Sequence, residues 1–174
     1  GAAFDNNLFC IGEKEVFALD SVADKLMQRM AENGAVKLNA NQLERLTKAA
    51  FTFKEGQGGG CAHASVNRDF IGKDPSVLAQ AAGVDIKPDT QLLFAETDAK
   101  HPFVEEEQMM PMLPIVRVKS VEEGIERSLA AEHDYREAVR IYKKLKDEEG
   151  VADITGNLAA LALDREQWAE AESL

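Results

Sequence analysis

The chain has 174 residues, 45% of them hydrophobic and 29% charged, with a formal net charge of −11. That length and apolar share suit one domain with a core, or a domain with a small appendage, and exclude a disordered chain. The acid surplus, with no basic stripe against it, excludes nucleic acid as a partner, and no apolar run approaches the ~20 residues of a membrane span.

In chain order, EKEVFAL (Glu13 to Leu19) ends in a β-branched and aromatic run and reads as a strand. Asp20 or Ser21 caps a helix carrying Val22, Leu26, Met27 and Met30 at helical spacing, and Asn33-Gly34 stops it. AVKL is a short strand, after which Asn39 or Asn41 opens a second helix with Leu43, Leu46 and Ala50 on one face. Residues 54 to 69 contain three consecutive glycines and read as a flexible loop; they lack the strand before and the helix after that a phosphate cradle needs. Pro75 to Ala82 is a short helix with proline near its start and Gly83 at its end. Gln91 to Thr97 and Ile115 to Val118 read as strands, and Ser120 with Glu123 forms a capping box for a further helix. Strands separated by helices imply parallel pairing, so the fold class is α/β, a layered sheet with flanking helices.

The character changes near Ala130, beyond which there is no strand candidate. HDYREA (His133 to Ala138) is echoed 33 residues later by EQWAEA (Glu166 to Ala171), so Tyr135 and Trp168 correspond. Leu158, Ala159, Ala162, Trp168 and Ala171 fall where a tetratricopeptide repeat places its packing residues. An ordinary amphipathic helix pair is the alternative. The expected domains are therefore 1–130, α/β, and 131–174, an all-helical, tetratricopeptide-like tail with few contacts to the first part.

The start, GAAFDNNLFC, has neither the basic nor the apolar region of a signal peptide, and Gly1 in place of Met suggests a cut or trimmed chain. Cys10 and Cys61 read as free thiols of a reducing cytosol. Cys61 and His63 fall short of the three or four ligands of a zinc site, so no metal is expected.

FDNNLFCIGEKEVF (Phe4 to Phe17) resembles the nucleophile segment of CoA-acylating aldehyde dehydrogenases, which convert propionaldehyde or acetaldehyde in bacterial microcompartments. RDFIGKDPSVLAQAAGV, HPFVEEEQMMPMLPIVRV and SVEEGIE follow in the same order, extending the resemblance over roughly residues 1 to 130. One departure is Phe9, where the family usually has proline. The resemblance implies Cys10 as nucleophile, Glu107 as the carboxylate on the nicotinamide ribose, NAD and CoA as cofactors, and a short-chain aldehyde as substrate. It also implies a cytoplasmic protein inside a bacterial microcompartment. The helical tail, which lacks the next repeat to cover its apolar face, is expected to make homo-oligomer contacts or take a protein partner. On residue chemistry alone, a buried inert thiol is the better reading of Cys10, a solvated acidic run from Glu105 is as good a reading of Glu107, and plain core is the default for Met109, Met110 and Met112.

In that family a dinucleotide domain and the oxyanion-hole amide come from upstream of the nucleophile, and a C-terminal segment completes the sheet. The expectation is thus a catalytic-domain fragment, inactive alone in NAD-dependent aldehyde oxidation. The other readings are a helical-repeat protein-interaction module and a purely structural, assembling domain. No histidine lies near Cys10 in sequence, so the group that activates its thiol is not visible.

Overall fold

A computed structural model describes residues 1–9, 12–54 and 63–128. The chain divides into two compact units after Ser120. The first contains β1 (Val16–Leu19), α1 (Asp20–Glu32), β2 (Val36–Lys37), α2 (Ala40–Ala50), β3 (Phe51–Lys54), β4 (His63–Val66), α3 (Pro75–Ala82), β5 (Leu93–Thr97), α4 (Pro102–Glu105) and β6 (Met112–Val118). Short 310 turns occupy Phe4–Asn7 and Arg68–Phe70. In the second unit, residues 121–128 are helical, as the signals at Ser120 and Glu123 suggested. The tetratricopeptide-like segment expected from residue 131, including Leu158 and Trp168, lies outside the described residues.

Four strands form a parallel sheet in the order β1-β6-β5-β2. Successive residues of a strand face opposite sides. Leu93 and Ala95 of β5 and Met112 of β6 accordingly join Leu43, Leu46, Leu78 and Ala82 of α2 and α3. Phe94, Leu113 and Ile115 join Ala18, Ala23 and Met27 on the other face, under α1. The central strands are buried on both sides, which is why they read as near-continuous apolar runs.

The helices end where local chemistry ends them. Asn39 caps α2 in a reciprocal box with Gln42. Gly83 closes α3 in the left-handed region, at φ +67°. Helix α1 differs from expectation: it begins at Asp20 itself, and its N-cap, Leu19, makes no side-chain bond. Strand β1 is also shorter than Glu13–Leu19: the carbonyls of Glu13 and Lys14 accept from the side chains of Asn7 and Gln108 rather than from the ladder. Conversely, β6 starts before Pro114, which the sequence reading placed outside the strand. Pro114 pairs with Ala95 of β5, and β1 joins only at Ile115, so the missing N–H falls where β6 has one neighbour.

The stretch 54–69 is not all loop. Strands β3 and β4 pair antiparallel from Phe51↔Val66 to Lys54↔His63. Four-residue strands carry too few alternations to stand out beside a glycine run.

Candidate functional site

The segment that carries the proposed nucleophile enters the sheet at its amino edge. Cys10 and Ile11 themselves lie outside the described residues, as does Cys61. Phe9 and Gly12 flank the first pair, and the Gly12 amide donates to the Phe9 carbonyl at 3.1 Å. The segment precedes β1, as expected. It therefore sits at the amino end of a parallel strand, whereas ligands of open α/β sheets commonly gather at the carboxyl ends.

Three consecutive non-glycine residues, Asp5, Asn6 and Asn7, adopt left-handed backbone at φ +47°, +53° and +60°. Asn and Asp tolerate this region better than other side chains because a short polar group can bond locally. Both asparagines are anchored. The Asn6 amide donates to the Gly72 carbonyl and to the Asp74 carboxylate. Asn7 is completely buried, and its Nδ2 donates to the carbonyls of Ala2 and Glu13 at 3.0 and 2.8 Å.

The oxygen side of Asn7 belongs to Lys14. The ammonium donates to the Asn7 carbonyl at 2.8 Å and to its Oδ1. It also stands 3.7 Å from the Glu107 carboxylate; the Lys14 side chain is 14% exposed and that of Glu107 50%. The next residue, Gln108, is fully buried and donates Nε2 to the carbonyls of Lys14 and Met112 at 2.8 and 3.1 Å. Two carbonyl partners fix the amide's orientation, and its Oε1 has no hydrogen-bond partner among the described residues. Glu107 and its neighbour Gln108 thus both meet Lys14, one at the ammonium and the other at the carbonyl.

Glu15, just before β1, has its carboxyl pushed above the usual glutamate value by burial, with Lys14 pulling the other way. Met110 and Met112 are fully buried core, and Met109 turns through φ +46°. Phe4 and Phe9 stack at 5.9 Å on the exposed side of the nucleophile segment. Among the described residues no three His, Cys, Asp or Glu side chains could hold a metal together.

A separate cavity of about 490 Å³ opens at the carboxyl ends of β2 and β5, lined by Leu38, Leu43, Thr47, Phe53, Glu96 and His101. None of the residues around the nucleophile segment lines it.

No protein-family model matches the chain. Acetaldehyde dehydrogenase (acetylating) of Salmonella typhimurium is 46% identical over 125 residues, covering 72% of this chain and 26% of that protein. Propanal dehydrogenase (CoA-propanoylating) of Citrobacter freundii is 37% identical over 133 residues, 76% of this chain and 27% of the relative. The relatives of this chain are CoA-acylating aldehyde dehydrogenases. A solved propionaldehyde dehydrogenase from the fucose-utilisation microcompartment of Clostridium phytofermentans superposes with a TM-score of 0.66 at 38% identity, over 78% of this chain and 29% of that one. The Rhodopseudomonas palustris propionaldehyde dehydrogenase, solved with bound propionyl-CoA, gives a TM-score of 0.66 at 34% identity, over 78% and 28%. The chain thus spans little more than a quarter of the length of these acylating dehydrogenases.

Of the two residues singled out by sequence, the structure describes Glu107 and shows it joined to the segment that contains Cys10. Asn7, Lys14 and Gln108 were missed. Asn7 and Lys14 stand three residues before and four after Cys10, a spacing that by itself says nothing about contact. Their meeting is visible only in the folded chain, through the Lys14 ammonium on the Asn7 carbonyl and Oδ1.

Proposed function

We propose that this chain is part of the catalytic domain of an NAD-dependent, CoA-acylating aldehyde dehydrogenase, with Cys10 as nucleophile. The observation that carries this reading is that sequence and fold point to the same chemistry over the same three-quarters of the chain. Residues 1–130 would form the partial catalytic domain and 131–174 a helical segment, in the cytoplasm or a microcompartment within it.

The chemistry runs through sulfur. The Cys10 thiolate adds to the aldehyde carbon and gives a thiohemiacetal, whose carbon then loses hydride and becomes a thioester. NAD, when bound, supplies the hydride acceptor. The CoA thiolate attacks the thioester carbonyl, the carbon–Sγ bond to Cys10 breaks, and acyl-CoA leaves. Glu107 suits the dinucleotide: its side chain is half exposed, and a carboxylate accepts from both hydroxyls of a ribose. Lys14 faces one of its oxygens at 3.7 Å and leaves the other open.

The acyl-transfer half of the reaction can be run backwards. Propionyl-CoA should transfer its acyl group to Cys10, with CoA thiolate leaving, to give a hydroxylamine-labile adduct detectable by intact-mass and peptide analysis. Cys10→Ser should abolish the adduct and Cys61→Ser should leave it. An adduct on Cys61 alone, or none at all, would reject the reading.

A further inference from the structure

Resting on that acyl-transfer reading, we infer that Lys14 is a positioning residue, one that locks the nucleophile-bearing segment against the segment carrying Glu107 through the buried side chain of Asn7. Three observations carry this. First, Asn7 is completely buried and its amide nitrogen is already occupied by the Ala2 and Glu13 carbonyls. Its Oδ1 must therefore find a donor elsewhere, and the Lys14 ammonium meets both that atom and the Asn7 carbonyl. Second, Asn7 is the last of three left-handed residues, a conformation that persists only where surrounding contacts over-determine it. Third, the same ammonium lies 3.7 Å from Glu107, while the Lys14 carbonyl independently receives Gln108.

The two ties differ in what substitution does to them. Replacing the Lys14 side chain removes the link from Asn7 to Glu107 and leaves the backbone bond to Gln108 in place. The Glu107 contact is half-exposed, so its value lies in geometry more than in energy. Geometry is what acyl transfer requires. A displacement of ~1 Å between reacting groups costs on the order of 100-fold in rate. A small alkylating reagent, which needs no fixed pose, is indifferent to the same displacement.

The test uses the full chain in a Cys61→Ser background, so that one thiol reports, and compares Lys14 with Lys14→Met and Lys14→Arg. Three quantities are read: acylation of Cys10 by propionyl-CoA, alkylation by iodoacetamide at about pH 9.5, where a thiol is mostly ionised, and hydrogen exchange at residues 4–8 and 105–109. Lys14→Met should slow acylation on the order of 10- to 100-fold, change alkylation by no more than roughly twofold, and speed exchange in both segments together. Lys14→Arg, which keeps a donor cation, should recover part of the acylation and of the exchange protection. Unchanged acylation in Lys14→Met, faster exchange in only one segment, or no recovery with arginine would overturn the proposal. If the Lys14 chain itself is not acylated, the acyl-transfer reading fails. The positioning role then stands or falls on whether the two segments loosen together.

Discussion

Asn7 combines full burial, a left-handed backbone and an amide whose nitrogen and oxygen are both engaged. Asn7→Ala removes the Oδ1 that Lys14 meets, leaves the Ala2 and Glu13 carbonyls without the Asn7 amide, and puts a Cβ-bearing residue without a bonding group at φ +60°. The expected loss is about 2–4 kcal/mol, from the left-handed cost and the orphaned groups together. Asn7→Gly should recover only the backbone part, a difference that urea denaturation resolves. Two titrating residues have opposite signs. His101 is pushed below the ordinary imidazole value by burial, with Asp98 opposing. Its Nδ1 accepts from the Phe103 amide at 3.2 Å, and its Nε2 faces the Thr47 hydroxyl, which donates to the Leu43 carbonyl. That pattern fits the neutral ring with its proton on Nε2. A folded-state value below the unfolded 6.5 means the contribution is complete above 6.5 and is lost as pH falls through the folded value. His101→Gln should therefore lose less stability than the parent chain between about pH 7 and pH 5, as read from urea midpoints. For Glu15, whose value is raised, stability is lost as pH rises from 4.5 through the folded value. Glu15→Gln should raise the urea midpoint at neutral pH, and an unchanged midpoint would count against the burial argument.

At the scale of elements, α2 and α3 were legible because each carries its own start and stop. Asn39 and Gln42 are three residues apart, and both halves of the capping box form. Asn39→Ala should cost roughly 1 kcal/mol of stability. Leu46, fully buried between α2 and the sheet, should cost about 2–5 kcal/mol when cut to alanine. Thermal and urea unfolding would order the two substitutions, and the reverse order would sink the packing argument. At Gly83 a Cβ would stand 3.1 Å from the Arg45 guanidinium, at a φ that side chains resist. That arm also donates to the Ala82 carbonyl, so the helix stop and the packing of α2 on α3 share one residue. Three short elements were not legible, although the equally short β1 and β2 were read as strands. Strands β3 and β4 and helix α4 are four residues each, below the length at which a period can be recognised. Helix α4 depends on His101 capping from outside the element and on Phe103 meeting Phe51 edge-on at 4.8 Å.

On the scale of the whole unit, the sheet order β1-β6-β5-β2 places the two longest strands at the centre. Amides of β5 and β6 should be the last to exchange with deuterium, and those of the two-residue edge strand β2 among the first of the sheet. Equal protection across all four strands would contradict that order. Arg117 at the carboxyl end of β6 binds Glu96 of β5 and Asp24 of α1, and holds the Asp24 carboxyl below its ordinary value by direct hydrogen bonding and by charge. Sequence alone determined the α/β class, the helices with local caps, the apolar strands of the centre and the likeness at Phe4 to Phe17, because caps, periodicity and motifs are written in neighbouring residues. Only the tertiary structure decided that Gln108 crosses 94 positions to reach the Lys14 carbonyl, and that Lys14 links Asn7 to Glu107. Such contacts depend on which strands lie side by side and on a left-handed backbone at Asp5 to Asn7, and neither leaves a periodic trace in the chain.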